Sequence, residues 1–188
     1  MEKLLERCLQ GPQPRLLVVG DVMCDVYLWG TVQRISPEAP VPVFESTSRH
    51  HILGGAANVA ANLRALGCQV YLLGLVGAEA AGDRVRALLM QQGIDDTGLQ
   101  VDVTRPTTEK TRLMAQQQQV LRLDQESRAP LSPECLARLL AQAQRLIGEV
   151  HGVVCSDYRK GVCTPEFLQP LFAMARAADR PIIVDPKG

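Results

Sequence analysis

The 188-residue chain reads as a doubly wound α/β layer, mostly parallel, with a small β lid, and three features carry that reading. Continuous apolar runs of strand length recur along it, as strands buried on both faces of a parallel sheet require. Stretches with one apolar helical face alternate with those runs, the order from which parallel sheets are built. Polar strand-like pieces break the alternation twice, at about 27–52 and 107–124, and these are assigned to the lid.

Residues 1–14 read as a short helix and a Gly-Pro-Gln-Pro linker, and 15–188 as a single domain. Arg15-Leu16-Leu17-Val18-Val19-Gly20 is the first buried strand, with Asp21 at its carboxyl end and Asp25 four residues on. Open α/β sheets bind their ligands at that edge. Tyr27 to Val32 and Val41 to Glu45 are short strands around the Ser36-Pro37-Glu38-Ala39-Pro40 turn, and Pro42 makes the second of them an edge strand or a segment outside the main sheet.

Gly54-Gly55 then opens a helix from Ala56 to about Gly67, whose small residues Ala57, Ala60 and Ala61 allow close approach to a sheet. Two adjacent glycines permit a tight turn against a ligand. The first helical turn offers N–H groups and the positive end of the dipole to hydroxyl oxygens or an anion, with Asn58 placed to bond a polyol. The other reading is a glycine turn opening an ordinary core helix. Neither a Walker loop nor a dinucleotide fingerprint is present.

Gln69 to Gly74 is the next buried strand, and a helix from about Ala80 to Gln92 follows, with Val85, Leu88 and Leu89 on one face and Gly93 after it. A turn at 94–99 leads into Gln100-Val101-Asp102-Val103. Thr107 to Ala115 and Val120 to Asp124 alternate as two strands joined around Gln116 to Gln119. Lys110, Arg112 and Arg122 give this hairpin a basic side, suited to an oxyanion or simply a solvated face. Ser132 and Pro133 start a helix to about Gly148. Gly152 to Cys155 is a strand that delivers Ser156, Asp157, Tyr158 and Lys160 to the same sheet edge. Thr164-Pro165-Glu166 caps a helix to about Ala178, and Pro181 to Val184 is a strand ending in Asp185-Pro186-Lys187-Gly188. Three strands thus end in Asp21, Asp157 and Asp185, which favours a polar site for a hydroxyl-rich ligand.

Composition narrows the function. With 46% hydrophobic and 21% charged residues the chain can bury a real core. Twenty basic residues balance twenty acidic ones, which gives no reason to expect a nucleic-acid or acidic-membrane partner, and 4% aromatics do not make a base-stacking platform. No signal-like or membrane-length apolar run occurs. The six cysteines are scattered without a Cys-x-x-Cys pair, as reduced thiols of a cytoplasmic protein would be; their spacing points to neither a zinc site nor a disulfide framework, and no metal ligand is assigned.

Several motifs carry a resemblance. Gly20-Asp21 with Asp25, Gly54-Gly55-Ala56-Ala57-Asn58, the Gly77…Gly82 stretch and Asp185-Pro186-Lys187-Gly188 resemble the ribokinase (PfkB) family of carbohydrate kinases. Arg34-Ile35-Ser36-Pro37-Glu38-Ala39-Pro40-Val41-Pro42-Val43, Arg105-Pro106-Thr107-Thr108-Glu109-Lys110-Thr111-Arg112 and Ser156-Asp157-Tyr158-Arg159-Lys160-Gly161-Val162 are similar to its bacterial heptose 7-phosphate kinase branch, often fused to an ADP-heptose synthase. The resemblance implies a ribokinase-like fold, ATP with Mg2+, and phosphorylation of the anomeric hydroxyl of a heptose 7-phosphate, in supply of lipopolysaccharide core. It also implies a homodimer through the lid. By the family pattern Asp21, Asp25, Gly54, Gly55 and Asn58 hold sugar hydroxyls, and Lys110, Arg112 and Arg122 meet the substrate phosphate. Asp157, Lys160 and Lys187 fall in the phosphoryl-transfer region.

Two departures accompany the match. Gly77-Ala78-Glu79-Ala80-Ala81-Gly82 stands where relatives carry an acidic pair, and the family's Gly-Ala-Gly-Asp motif, source of the anion hole and the Asp base, does not occur in these 188 residues. The expectation is an N-terminal portion of such a kinase, truncated at the C-terminus, with a sugar pocket, no catalytic residue of its own and little or no turnover. The other class is a non-catalytic sugar-phosphate binder or assembly remnant. A nucleotide-dependent oxidoreductase is disfavoured by the absent glycine fingerprints.

Overall fold

The computed structural model describes residues 13–187. The expected N-terminal helix with Cys8, and Gly11 and Pro12 of the linker, lie outside the described residues, as does Gly188.

Strands β1 (Arg15–Gly20), β4 (Gln69–Val76), β5 (Leu99–Val101), β8 (Gly152–Ser156) and β9 (Ile182–Asp185) form a parallel sheet in the order β5-β4-β1-β8-β9. Alternate residues of these strands serve opposite faces. Leu17, Val19, Leu73, Leu75, Val153 and Cys155 pack against α3 (Pro133–Leu146) and α4 (Pro165–Ala177) through Leu139, Ala143, Phe167 and Leu171. Val18, Val70, Leu72 and Val76 pack the other way, against α1 (Ala56–Ala65) and α2 (Ala80–Gln91) through Ala57, Ala60, Val85 and Leu89. The doubly wound layer read from the apolar runs is the one observed.

Helix starts follow the local chemistry unevenly. Ser132 caps α3, its Oγ accepting from the N–H of Cys135 at 3.2 Å, a bond generally worth about 1 kcal/mol. Thr164, expected to cap α4 in the same way, makes no side-chain cap bond. In α1 the fully buried small residues are Ala56, Ala57 and Ala60, while Ala61 is only half-buried.

The lid is larger than the sequence suggested. Strands β2 (Val22–Ile35) and β3 (Pro42–Gly55) are each 14 residues long and antiparallel, and β6 (Thr108–Ala115) and β7 (Gln118–Gln125) complete a second sheet in the order β3-β2-β6-β7. The short piece expected at 27–32 is only the middle of β2, and that at 41–45 is, from Pro42 on, only the outer end of β3. Pro42 does open an edge strand. The β6–β7 turn is narrower than expected: Gln116 and Gln117 alone make it, with φ of 50° and 66°. A two-residue turn with both φ positive matches the twist of the flanking strands.

One residue, Asp21, separates β1 from β2, and β3 runs straight into α1. The lid is therefore rooted in the sheet at the carboxyl end of β1. Val22, Cys24, Val26 and Leu53 of that root belong to the α1–α2 core. Among the described residues no helix is long and apolar enough to cross a membrane.

Candidate functional site

The root of the lid is built from Asp21, the glycine pair and Asp25. Gly55 sits at φ 55°, and its place leaves room only for hydrogen: a Cβ there would lie 2.2 Å from the carbonyl oxygen of Asp21. That carbonyl accepts the N–H of Ala56 at 2.9 Å, so the first residue of α1 is fastened to the end of β1. At Gly54 a Cβ would lie 2.6 Å from Oδ2 of Asp25. Gly54 thus lets the Asp25 carboxylate and the Met23 side chain lie close against the backbone, a more specific role than a tight turn. Asn58 is exposed on the first turn of α1.

Asp21 and Asp25 then diverge. The Asp21 side chain is 1% exposed. Its Oδ2 accepts the N–H groups of Tyr158 (2.8 Å) and Lys160 (3.0 Å), and its Oδ1 that of Val162 (3.1 Å). The expected sugar-hydroxyl ligand is thus committed to folding the loop after β8, because a buried carboxylate needs donors and that turn supplies three. Asp25, by contrast, faces the lid surface, where Oδ1 accepts from Arg112 Nη1 at 2.6 Å.

The charged face of the lid follows from register. Asp25, Lys110 and Asp124 are cross-strand partners in one row, and Tyr27, Arg112 and Arg122 in the next. Lys110 Nζ pairs with Asp124 at 3.0 Å and Glu126 at 3.4 Å, Arg122 Nε donates to Asp124 at 2.8 Å, and Arg112 lies 5.3 Å from the Tyr27 ring centroid. All three candidate phosphate-binding cations are therefore already paired; Arg122, half exposed at 51%, is the most accessible. Burial works against the charge on Arg112 and on Asp124, yet bonding to Asp25 raises the guanidinium, and bonds from Lys110 and Arg122 lower the carboxyl. Tyr27, Trp29, His50, His51 and Ile52 line a hollow of about 460 Å³ on this sheet.

Sequence reasoning missed the hub between lid and sheet, Glu126. It bonds Lys160 Nζ at 2.6 Å, Arg128 at 3.0 Å and Lys110 at 3.4 Å. The Lys160 bond above all, with help from Arg128 and Lys110, brings the Glu126 carboxyl down to about 2. Arg105 was missed too; its guanidinium donates to the carbonyls of Lys160, Ser127 and Ala129 and ties the approach to β6 onto the loop after β8. Glu79, in the departing Gly77…Gly82 stretch, accepts the N–H of Thr107 at 2.8 Å, while Thr107 Oγ1 accepts from Gly77. Burial would raise the Glu79 carboxyl, but the Thr107 bonds outweigh it and hold it low. That stretch therefore braces the entry to β6. No spacing in the sequence signals these long-range contacts.

In the expected phosphoryl-transfer region, Lys160 and Lys187 do share a cleft of about 180 Å³ with Arg128, Tyr158 and Arg159. Asp157 is only half-buried, and its Oδ1 accepts the N–H of Arg159 at 2.7 Å; Lys187 Nζ lies 6.0 Å from the Tyr158 ring centroid. Four cationic side chains around one cleft suit the phosphates of a nucleotide. Asp157 and Asp185 stand at the ends of neighbouring strands, hard oxygen donors of the kind Mg2+ takes.

The pfkB family carbohydrate kinase model matches residues 13–188. Two curated relatives, both named bifunctional protein HldE, are 45% identical (Helicobacter pylori strain 26695) and 46% identical (Desulfatibacillum aliphaticivorans) over 174 residues. Each match takes in 93% of this chain but only 38% and 36% of the relative, so the chain spans well under half the length of the relatives it matches. Among solved structures, a carbohydrate kinase from Agrobacterium tumefaciens superposes with a TM-score of 0.67 at 21% identity, over 92% of this chain and 53% of that one. The ribokinase of Arabidopsis thaliana, solved with ribose and ATP, gives 0.65 at 18% identity over 94% and 55%. At such identities these two speak for the fold alone, which is ribokinase-like.

Proposed function

Because the chain belongs to the pfkB family of carbohydrate kinases, we propose that it forms the acceptor-sugar side of a kinase acting on a heptose 7-phosphate at its anomeric hydroxyl, within ADP-heptose and lipopolysaccharide core synthesis. The observation that carries this reading is Asp25, pressed against Gly54 and held by Arg112 beside a row of lid cations. A carboxylate accepts from sugar hydroxyls, and cations a few residues away suit the phosphate at the far end of the same sugar. Gly54, Gly55 and Asn58 complete the acceptor wall in this proposal. Asp21 serves it indirectly, by fixing the loop that carries Lys160. Lys110, Arg112 and Arg122 exchange a carboxylate partner for the sugar phosphate, with Arg122 the readiest to do so.

The cleft of Lys160, Lys187 and Arg128 takes the polyphosphate of ATP in this reading, with Asp157 nearby. Mg2+ bound there would neutralise phosphate charge. No residue of the chain is assigned as the base that accepts the hydroxyl proton, so the 188 residues alone are expected to bind sugar phosphate and turn over little or none. The assembly we propose is a homodimer through the lid. Exposed Leu121 and Leu123, on the face of that sheet opposite the charged row, support it, since a second copy would cover them.

Calorimetry with heptose 7-phosphate, with ATP and with both, beside a coupled ADP-release assay, tests the reading. Sugar-phosphate binding that Asp25→Asn weakens at least tenfold, without ADP release, is the expected result. Absence of sugar-phosphate binding would refute the acceptor site, and robust ADP release would refute the missing base. Binding of sugar phosphate with none of ATP supports the alternative, a sugar-phosphate-binding remnant of the kinase.

A further inference from the structure

The lid has a second polar cluster, on its side toward α2, which neither the sugar site nor the phosphate cleft uses. Cys24 on β2 and Glu109 on β6 are direct cross-strand partners, and His51 on β3 is diagonal to Cys24. Cys24 Sγ and His51 Nδ1 are 3.8 Å apart, and one donor atom from each of the three residues lies within 4.8 Å of the others. In a tetrahedral zinc site, bond lengths of about 2.3 Å to sulfur and 2.1 Å to nitrogen set those donors about 3.6 Å apart. Small side-chain rotations close the set around one ion.

Two further features single the cluster out. The carboxylates of the charged lid face, Asp25, Asp124 and Glu126, each have a Lys or Arg within ion-pair distance. Glu109 has none among the described residues; its one side-chain bond is a 3.4 Å contact from Thr111. The cluster also already attracts a cation from outside the sheet. Arg84 of α2 places Nη1 2.8 Å from His51 Nε2 and 3.2 Å from Nδ1.

We infer that Cys24, His51 and Glu109 form a binding site for a zinc-class divalent cation, for which Arg84 is the built-in competitor. A thiolate, an imidazole and a carboxylate, with a fourth position left for water, are the donors that borderline-soft ions select over Mg2+ or Ca2+. Binding displaces the Cys24 thiol proton to solvent as the metal–sulfur bond forms. With Nδ1 on the metal, Nε2 of His51 carries the ring proton and no longer accepts from Arg84, so the guanidinium must leave. The three donors come from three adjacent strands, and the ion staples β3, β2 and β6 together at the root of the lid. Cys-pair spacing carries no sign of this, because each ligand comes from a different strand.

The test uses the whole chain, with Zn2+ in calorimetry and Co2+ in absorption spectroscopy. A single equivalent bound with a thiolate-to-cobalt charge-transfer band is the expected result. Cys24→Ser should abolish the band, Glu109→Gln should weaken Zn2+ binding roughly tenfold or more, and Arg84→Met should tighten it by a similar factor. Arg84 is half-buried and no part of the apolar core, so that variant keeps the test decisive if a core substitution fails to fold. No charge-transfer band, a band that survives Cys24→Ser, or unchanged affinity in Arg84→Met would each overturn the site. None of these readouts depends on kinase activity.

Discussion

Asp21 at the end of β1 and Asp25 four residues along are both carboxylates at the root of the lid, yet they are engaged in different ways. Asp21 is buried and holds three backbone N–H groups of the loop after β8. Asp25 holds one side chain, Arg112, on a partly solvated face. The sheet edge thus uses its polar groups to fix backbone, while the lid pairs its polar groups with one another. A backbone partner cannot be exchanged without unfolding the loop, whereas a side-chain partner can be traded for a ligand of the same charge.

Substituting Asp21 should have the largest effect. Asp21→Ala leaves three backbone donors unpaired, two of them buried, and is expected to cost about 3 kcal/mol or more in urea unfolding, with Asp21→Asn recovering part of the loss. A loss as small as that of an exposed ion pair would erase the distinction between edge and lid. Gly55→Ala comes next, at about 2 kcal/mol, because it combines φ 55° with a clash against the Asp21 carbonyl.

Glu126, which joins the two regions, sharpens the contrast through pH. Its folded carboxyl is depressed from 4.5 to about 2, chiefly by Lys160, so the stability it supplies is complete above the unfolded value and is lost as pH falls from 4.5 towards 2. Urea midpoints measured across that range should fall more steeply in the wild type than in Glu126→Gln; parallel curves would show that the carboxylate is not linked to folding. The smallest stability effect is expected at Arg122, where Arg122→Ala should cost under about 1 kcal/mol because the pair is half exposed. The same change should weaken heptose 7-phosphate binding roughly tenfold, the inverse of the Asp21 pattern.

The main sheet was legible because its residues are sorted by burial. Val18-Val19 and Val153-Val154-Cys155 are apolar on both faces, and Ser132-Pro133 marks its helix start unmistakably. The length of β3 was hidden for the opposite reason. Glu45 to His50 are exposed, so neither side of that strand imposes an apolar alternation that sequence periodicity could detect. The Gln116-Gln117 turn lacks the Asn-Gly signal that its backbone would favour. Within the candidate site, the glycine pair and Asp25 stood out by residue type and position, and the structure sets Asp25 against Gly54. The inward commitment of Asp21 could not, because its partners lie about 140 positions away in the chain. Glu126, Arg105 and the Cys24–His51–Glu109 set escaped for the same reason.

The direct passage from β1 through Asp21 into β2, and from β3 through Gly55 into α1, makes the lid a lever without a slack hinge. At roughly 3.3 Å per residue its 14-residue strands reach about 46 Å. A tilt of only about 5° at the glycine pivot would carry the far tip about 4 Å, and would pull on the Asp21 carbonyl and the first amide of α1 together. A ligand seated against Gly54 would therefore act close to the pivot, and the long strands would amplify any tilt that it imposed.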